Sequence, residues 1–495
     1  MLEKAAAAAK ETPFLEFRLD YLDKPAAAVA KFRQFLAQHT EVTAIATCRR
    51  EENGGKFTGT LNAQLEILLA AATPAAPGDT QAAFELIDLE VESAEALKPA
   101  QLAKLRETGA AFLCSWHDFH STPDLDAVYA RILPFAPDIV KIVPTATSLA
   151  DNLTLMRFIE RVSDTTNIVG ICMGEAGSLS RVLGLRAGAT FTFAAASAGE
   201  ETGPGQIAAR TLVESYRIDA VDASTKVYGV VGNPVSKSLS PIMMNSAFRR
   251  ETVNALYLAL PTENIKDLIA VIPQIPLQGL SVTMPHKQAI LPYLEHMDPL
   301  SQKIGAVNTV SRIGGKLYGF NTDVAGILAP LEKRLPVKDA KILVLGAGGS
   351  ARASVFALRD KGADVTILNR TPETAAALAQ ASGAHTIDRA ALFGKQAKST
   401  FDVILNTTPI GMSGNPAAQI LDAADLATLN PKIVFDIVYN PLETPLLTLA
   451  RNQSIPIITG VEMFVQQGMR QFEIWTGKPA PEEEMLRVVL HALKQ

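Results

Sequence analysis

Between Phe14 and about Ile218, short apolar runs alternate with longer stretches of helical periodicity. Strand-length runs separated by helical segments are the pattern of parallel strands joined by helices, in a barrel or an open sheet. The runs are FLEFRL, VTAIAT, FELIDLE, AFLCSW, DIVKIV, NIVGICM and TFTFA. Polar or ionisable residues lie inside or at the ends of nearly all of them. In a (β/α)8 barrel the C-terminal strand ends converge on the active site, so such residues there read as chemistry and not as stability. Closure takes eight strands, and seven are legible. The expectation is an α/β fold that opens on a (β/α)8-type barrel whose first strand is missing.

The polar stretch Asp219-Ala220-Val221-Asp222-Ala223-Ser224-Thr225 ends this region. Strand VYGVVG opens the next, with a helix from near Pro241. Composition changes again around Pro336-Val337-Lys338, after which KILVLG, VTILNR, VILNT, IVFDIV and IPIIT resume the strand–helix alternation. The tail from Met463, with Gln471, Phe472 and Trp475, has helical spacing and is expected to fold back on the middle unit. The expected domains are residues 1–222, the barrel; 226–335 completed by 461–495; and 336–460, a Rossmann-like unit. No repeat of solenoid period occurs.

Composition narrows the function classes. The 495 residues suit about three domains. Hydrophobic residues at 48% and charged residues at 20% exclude disordered, collagenous and coiled-coil proteins. Lys and Arg number 46 and Asp and Glu 51, a net charge of 46 − 51 = −5. Such a surface offers a polyphosphate nothing, so no nucleic-acid partner is expected and an anionic ligand must be caught by local basic groups. Cys48, Cys114 and Cys172 are too few and too scattered for a disulfide framework or a zinc site, so no metal is expected and a reducing compartment is. The start MLEKAAAAAKE lacks the apolar core of a signal peptide, and no run of about 18 apolar residues follows. The expectation is a cytoplasmic monomer or homodimer with no membrane partner.

In the first region Lys141 lies in the middle of DIVKIV, where a lysine is costly unless paired or kept neutral. An edge-strand lysine facing solvent is the structural alternative. His117, in SWHDF at the end of the preceding strand, adds a group that titrates near neutrality at the same barrel mouth. Arg18, Arg49 and Arg181, at or just beyond other strand ends, form an anion clamp suited to a small carboxylate. Together these residues point to a Schiff-base enzyme.

EFRLD, TCRR followed by NGG, IDLE, SWHDFH, DIVKI, MGEAGSLSR and TGPGQ, in that order, resemble type I 3-dehydroquinate dehydratase. The resemblance implies that Lys141 forms an imine with the C3 ketone of 3-dehydroquinate while His117 shuttles the protons that accompany loss of water. It also implies that Arg181 binds the substrate carboxylate, that Glu16, Arg18, Arg49, Thr202 and Gln206 position hydroxyls, carboxylate and the closing loop, and that Asp88 and Glu90 tune the charge. The family pattern usually has a glutamate before the Gly-Gly pair, orienting the histidine. Here Asn53 precedes Gly54-Gly55, so Glu52 or Glu51 substitutes or the proton shuttle is rewired. The family also has an apolar segment upstream, so the natural chain is expected to begin before Met1, with barrel closure and dehydratase activity most exposed to its loss.

In the third region KILVLG is followed by Gly346-Ala347-Gly348-Gly349-Ser350-Ala351 and a helix, which matches G-x-G-x-x-A in its strand–turn–helix context. Its glycines let the backbone approach a pyrophosphate at the helix N-terminus. The next strand ends in Asn369-Arg370-Thr371 where an NAD site would place an acidic residue, so Arg370 favours the 2′-phosphate of NADP; a solvated loop cation is the alternative. In the middle region Ser238-Leu239-Ser240-Pro241 starts a helix, with Ser240 expected at the N-cap and Pro241 at N1. Ser238 is not needed for that cap, and two hydroxyls beside a helix N-terminus make a carboxylate site. Lys287, in SVTMPHKQ, is expected in an opening helical turn where the macrodipole disfavours a cation and calls for a carboxylate. Asp323, in GFNTD after the hairpin AVNTVSRIGGKLYGF, is the candidate partner, against the simpler reading of a helix-start charge.

GNPVSKSLSP, SVTMPHK, GAVNT, GFNTD, GAGGSAR, NRT, NTTPIGM, DIVYNPLETPLL and MFVQQG resemble shikimate dehydrogenase. This implies that Ser238 and Ser240 hold a carboxylate, that Lys287 and Asp323 form the catalytic pair, and that Thr283, Asn308, Tyr439 and Gln467 contact hydroxyls or shape the pocket. Gly346, Ala347, Gly348, Gly349, Ser350, Ala351, Asn369, Arg370 and Thr371 would bind NADP. Ser281 stands where many members have asparagine and is expected to contact substrate weakly at most. The complete chain resembles the fused dehydratase and dehydrogenase of bifunctional shikimate-pathway enzymes, taking 3-dehydroquinate to 3-dehydroshikimate and then, with NADPH, to shikimate. Two other readings are a pathway-metabolite sensor, which should have lost the reactive Lys141, His117, Lys287 and Asp323, and an NAD-dependent quinate dehydrogenase, against which Arg370 argues. A class I aldolase shares the lysine but not the ordered flanking motifs.

Overall fold

The computed structural model describes the whole chain except residues 74–83, 236–237, 276, 395–399, 414–419 and 495. The chain divides into two compact units, Met1–Thr225 with Ala270–Ile275, and Lys226–Ile269 with Pro276–Gln495. The two regions expected after residue 226 thus lie in one unit.

The first unit carries a six-stranded parallel sheet in sequence order: β1 (Phe14–Arg18), β2 (Thr43–Thr47), β3 (Leu86–Glu90), β4 (Ala111–His117), β5 (Ile139–Val143) and β6 (Ile168–Gly170). Side chains two apart on a strand share a face, and here the inward-facing sets stack in tiers. The lowest is apolar: Ile45, Leu86, Leu113, Ile139 and Val169 pack with Phe14, Phe191 and Phe193. Two residues further along the strands come Glu16, Thr47, Asp88, Ser115 and Lys141, and two further again Arg18, Arg49, Glu90 and His117. The polar tiers thus rest on a greasy floor at the C-terminal end of the sheet.

The seventh expected strand, TFTFA, is not one. Thr190 N–H donates to Ile168 O, but the chain then leaves the sheet and Ala195 bridges to Ala208. A ladder there would have a partner on one side only, because β1 pairs with β2 alone among the described residues. Side chains fill the seam instead: the Phe191 ring meets Phe14 edge-on at 4.7 Å, and Phe193 lies beside Phe191.

The second unit holds two sheets. One is mixed, in the order β10-β12-β11-β9-β7-β8, from β7 (Lys226–Gly232), β8 (Ala255–Pro261), β9 (Leu277–Val282), β10 (His296–Met297), β11 (Thr309–Ile313) and β12 (Lys316–Phe320). Strands β11 and β12 form the expected hairpin. The helices Ser240–Arg250, Gly460–Thr476 and Glu482–Ala492 cover this sheet through Met243, Phe248, Phe464, Phe472 and Val489, so the tail does return to the middle region. The other sheet is fully parallel, in the order β15-β14-β13-β16-β17-β18, from β13 (Lys341–Leu345), β14 (Asp364–Leu368), β15 (His385–Thr386), β16 (Val403–Asn406), β17 (Ile433–Asp436) and β18 (Ile457–Ile458). This is the doubly wound 3-2-1-4-5-6 order, whose switch point falls between β13 and β16. Ile342 and Val344 pack under Val355, Leu358 and Leu378 on one face, and Leu343 and Leu345 meet Leu426, Leu429 and Leu447 on the other. Strand periodicity alone assigns these alternate residues to opposite layers.

Gly279 on β9 marks a close approach of the returning tail. A Cβ there would stand 2.3 Å from Nε1 of Trp475, whose N–H donates to Val310 O at 3.0 Å. Gly279→Ala is expected to push the indole off that carbonyl and cost about 1–3 kcal/mol. A urea titration followed by Trp475 fluorescence in a Trp116→Phe background checks this; an unchanged midpoint would show that the indole is not held there.

Candidate active sites

In the first unit the middle tier is charge-paired. Lys141 Nζ donates to Asp88 Oδ2 at 2.8 Å, lies 3.7 Å from Glu16 Oε1 and stands 3.8 Å from the centre of the Phe193 ring. Lys141 is 4% exposed, so of the two ways to keep a buried lysine the protein uses pairing. Asp88 also receives the Ser115 hydroxyl and, at 3.2 Å, Arg49 Nη2. Burial would raise the Asp88 carboxyl, but the charges of Lys141 and Arg49 outweigh it and hold it below the ordinary range. Glu16 is fixed by the Thr47 hydroxyl at 2.7 Å. Arg49 Nε reaches Glu90 Oε1 at 3.3 Å, and Gln64 binds the other Glu90 oxygen at 2.9 Å. Burial nevertheless pushes Glu90 up to about 7, with Arg49 opposing and Asp88 adding to the rise.

His117 sits on β4 two residues beyond Ser115, which is in register with Lys141 on β5. Burial first, then the positive charges of Arg49, Lys141 and Arg18, hold its pKa well below the usual imidazole value. Its Nδ1 is buried and has no hydrogen-bond partner among the described residues. Neither glutamate expected to orient it does so: Glu52 pairs with Arg50 at 2.6 Å, and both Glu51 and Glu52 are exposed. Gly54 instead packs under Phe119, whose ring stacks on His117 at 6.3 Å.

The remaining arginines divide. Arg18 is bound in two-pronged fashion to Asp20, at 2.9 and 2.8 Å. Arg181, in the helix Ser178–Leu183, is 3% exposed and gives one bond, from Nη2 to Pro204 O at 3.0 Å; its Nε has no partner among the described residues. Burial lowers its pKa to about 10. The Pro204 contact joins Arg181 to the segment in which Gln206 Oε1 accepts from Thr202 N–H at 2.7 Å. Thr202 itself is exposed and touches none of the tier residues by hydrogen bond among the described contacts.

In the second unit Lys287 Nζ meets Asp323 Oδ2 at 2.5 Å. Lys287 stands in a run of turns after Thr283, not in a helix, so the expected partner is present although the dipole argument for it does not apply. Asp323 begins the helix Asp323–Glu332, and its second oxygen accepts from Asn308 Nδ2 at 2.8 Å. Ser240 is the first residue of its helix and Leu239 the N-cap, so Ser240 does not do the capping expected of it; Ser238 Oγ accepts from Ser240 N–H at 3.3 Å. Pro241 falls at the second helical position, whose N–H would also lack an intrahelical acceptor, so the helix tolerates it one residue later than expected. Thr283 leaves β9 with its N–H bonded to Val231 O at 2.9 Å. Tyr439 stacks on Phe464 at 4.7 Å, and Gln467 Nε2 is bonded to Phe464 O at 2.8 Å, so both are braced by the helix Gly460–Thr476.

The glycine turn fits a dinucleotide. Gly346 has φ +108°, and a Cβ on it would strike Thr407 Oγ1 at 2.8 Å. Around Gly348 and Gly349, at the start of the helix Gly349–Asp360, nothing stands within 4 Å of an added Cβ, which leaves open space beside a helix N-terminus. Ser350 is half-buried, Ala347 half-buried and Ala351 buried. Arg370 is exposed just past β14, and Asn369 Nδ2 bonds Thr371 O at 2.9 Å, tightening that turn.

Sequence reading missed Thr47, Ser115, Gln64 and Phe193 in the first site and Tyr257, Thr309, Thr322 and Gln471 in the second. Thr47 and Ser115 share strand parity with Glu16, Asp88 and Lys141, and Gln471 lies four residues after Gln467 on one helix face, so period alone would have flagged them. Ser281 faces protein, not substrate: it is 6% exposed, with Tyr257 and Gln471 as partners.

These two sites define a two-centre α/β enzyme: a lysine-based barrel centre joined to a dehydrogenase with a dinucleotide fold. Family comparison agrees by region: residues 1–223 match type I 3-dehydroquinase, 230–310 the shikimate dehydrogenase substrate binding domain, 330–439 shikimate/quinate 5-dehydrogenase and 460–490 the shikimate 5′-dehydrogenase C-terminal domain. The chain is 34% identical over 459 residues to the chloroplastic bifunctional 3-dehydroquinate dehydratase/shikimate dehydrogenase of Arabidopsis thaliana, covering 88% of this chain and 73% of that one. It belongs to that bifunctional family. A shikimate dehydrogenase (NADP(+)) of Methanothermobacter thermautotrophicus is 38% identical, over 54% of this chain and 96% of its own. A shikimate dehydrogenase solved in complex with NADP+ is 37% identical with a TM-score of 0.52, covering 56% of this chain and 98% of that one.

Glu90 gives the first site a pH signature. Between about 4.5 and about 7 the folded protein keeps a proton that the unfolded chain releases, so the carboxyl withdraws stability as pH rises through that window. Glu90→Gln removes the effect. Raising pH from 5 to 8 is expected to shift stability against the wild type, relative to Glu90→Gln, by on the order of 1–3 kcal/mol. Denaturant midpoints of both proteins at each pH test it; a pH-independent difference would mean that Glu90 is ionised throughout.

Proposed function

We propose that the first unit converts 3-dehydroquinate to 3-dehydroshikimate and water through an imine on Lys141, and that the second reduces 3-dehydroshikimate to shikimate with NADPH. The observation that carries the reading is that each site sets a lysine ammonium against a carboxylate, Lys141 with Asp88 and Lys287 with Asp323, within a chain of the bifunctional family.

In the barrel, Lys141 gives a proton to Asp88, 2.8 Å away, and its lone pair adds to the C3 carbonyl carbon. The carbinolamine oxygen takes one proton from the added nitrogen and one back from Asp88, leaves as water, and an iminium remains. That cation acidifies the neighbouring C–H, so the pair of electrons left after proton removal can expel the hydroxyl one carbon further on. His117, neutral because burial and three cations disfavour its charged form, accepts the first proton and returns one to the departing hydroxyl. Water then hydrolyses the iminium and frees Lys141. Arg181, with donor capacity left on Nε, receives the substrate carboxylate, and Glu16, Arg49, Thr202 and Gln206 position the hydroxyls and the adjoining segment. Arg18 acts through Asp20, which also accepts Lys56 N–H at 3.1 Å.

In the second unit, NADPH when bound supplies the hydride. Lys287 donates a proton to the carbonyl oxygen as the carbon is reduced, and Asp323 and Asn308 hold it in place. The Ser238–Ser240 segment receives the carboxylate, with Thr283, Tyr439 and Gln467 around the ring. Residues Gly346 to Ala351 hold the pyrophosphate, and Asn369, Arg370 and Thr371 the 2′-phosphate. The three buried free thiols and the absence, among the described residues, of a helix able to cross a membrane are compatible with a cytoplasmic setting.

Borohydride reduction in the presence of 3-dehydroquinate is expected to place a stable adduct on the peptide containing Lys141; label elsewhere would reject the assignment. His117→Ala should lower the dehydratase kcat by about a hundredfold or more while leaving the reductase rate intact. Arg370→Ala should raise the KM for NADPH about tenfold without changing that for NADH, and equal effects on the two coenzymes would assign the arginine no phosphate contact.

A further inference from the structure

One turn into the helix Gly349–Asp360, which begins at the glycine turn, stands Arg352. Its Nε donates to the main-chain oxygen of Ile304, and its Nη2 lies 3.5 Å from where a Cβ on Gly305 would stand. Ile304 ends the helix Pro299–Ile304, where a carbonyl has no partner along its own helix, and a guanidinium is suited to meet it. Arg352 is half-buried, with its guanidinium carbon 5.2 Å from the centre of the Phe356 ring. Ile304, Ala306 and Ala353 pack together beside Val324 and Phe356, so this helix, the end of the helix Pro299–Ile304 and the helix that Asp323 begins meet in one small apolar cluster. The chain that leaves Ile304 holds the reductase pair. Val307 N–H donates to Lys287 O at 2.9 Å, and Asn308 Nδ2 donates to Asp323 Oδ1 at 2.8 Å. Between them Ala306 O accepts from Asn321 Nδ2 at 2.9 Å. Two further polar ties from the same helix region, Lys303 with Asp360 and Lys361 with Glu332, join exposed side chains, and such pairs hold little.

We infer that Arg352 is a positioning residue for the reduction: it fastens the helix that starts at the glycine turn to the segment 304–308 that holds Lys287 and Asp323, so that coenzyme and substrate are seated as one assembly. The inference rests on the reading that the glycine turn seats NADPH and that Lys287 protonates the carbonyl. In that step hydride adds to the carbonyl carbon, and the C=O electron pair moves to the oxygen, which takes a proton from Lys287 Nζ. The two donors reach one carbonyl from different elements of the fold, and a misplacement of about 1 Å between such groups can cost on the order of a hundredfold in rate. A ligand that orders one side of the Arg352 junction also orders part of the other, so the second ligand has less to organise when it binds.

The test uses the full-length enzyme and the fluorescence of NADPH, titrated without and with saturating shikimate, a pair that cannot react because both members are reduced. The quantity read is the ratio of the two NADPH dissociation constants. In the wild type shikimate should tighten NADPH by about fivefold or more. Arg352→Met keeps the length of the stem and loses the donors. It should bring the ratio close to one while leaving NADPH affinity without shikimate within about threefold of the wild type. It should also slow a single turnover of 3-dehydroshikimate at saturating NADPH by about tenfold or more. Arg352→Lys, which keeps a donor able to reach Ile304 O, should recover most of both losses. A wild-type ratio of one, a ratio or turnover rate unchanged in Arg352→Met, or a lysine no better than methionine overturns the inference. So does a loss of NADPH affinity that is the same with and without shikimate, which would make Arg352 a direct contact of the coenzyme. A wild type that binds neither NADPH nor shikimate overturns the underlying reading instead.

Discussion

A lysine ammonium taken out of water must be met by a carboxylate, and both sites are built around that requirement. Lys141 is 4% exposed on a strand whose other residues are apolar, so its charge is tolerable only because Asp88 and Glu16 face it. Asp88 in turn needs Arg49, and Arg49 engages Glu90, so the charges form an alternating cluster across neighbouring strands. Parallel strands make the cluster possible, because side chains at equal heights on successive strands converge inside the curve of the sheet. The apolar tier below excludes water from one side and so strengthens each of these pairings.

The dehydrogenase half meets the same requirement with different means. Lys287 comes from a turn and Asp323 from the start of a helix, and Asn308 links that helix to the hairpin strand β11. Here the surrounding groups are neutral hydroxyls and amides, and burial of Tyr257, Ser281 and Gln471 keeps solvent from competing for their hydrogen bonds.

Much of this was legible in one dimension. Lys141, Asp88 and Glu90 could be singled out because ions inside apolar runs are costly, and the glycine turn because a strand–GAGG–helix context has few other uses. Less legible were features that depend on what stands opposite. TFTFA has the composition of a strand, yet lacks a second neighbour and is not one. Ser281 looks like a small departure from a motif, but it is the link between Tyr257 and Gln471, which is 190 residues away in sequence. Glu51 and Glu52 precede the Gly54-Gly55 pair where the motif led one to expect a partner for His117, but both are exposed, and Phe119 stands against Gly54 instead.

The order of apolar and polar residues determined the parallel sheets, the tiers within the first and the two faces of the third, since strand period assigns each side chain to a layer before any partner is chosen. It also determined which groups could do chemistry. What it left open, and tertiary structure decided, was pairing: that Lys141 takes Asp88, that Lys287 takes Asp323, and that burial pushes the Glu90 carboxyl up to about 7. Charge compensation and hydrogen-bond polarity are properties of neighbours, and these neighbours are brought together only when strands far apart in sequence lie side by side.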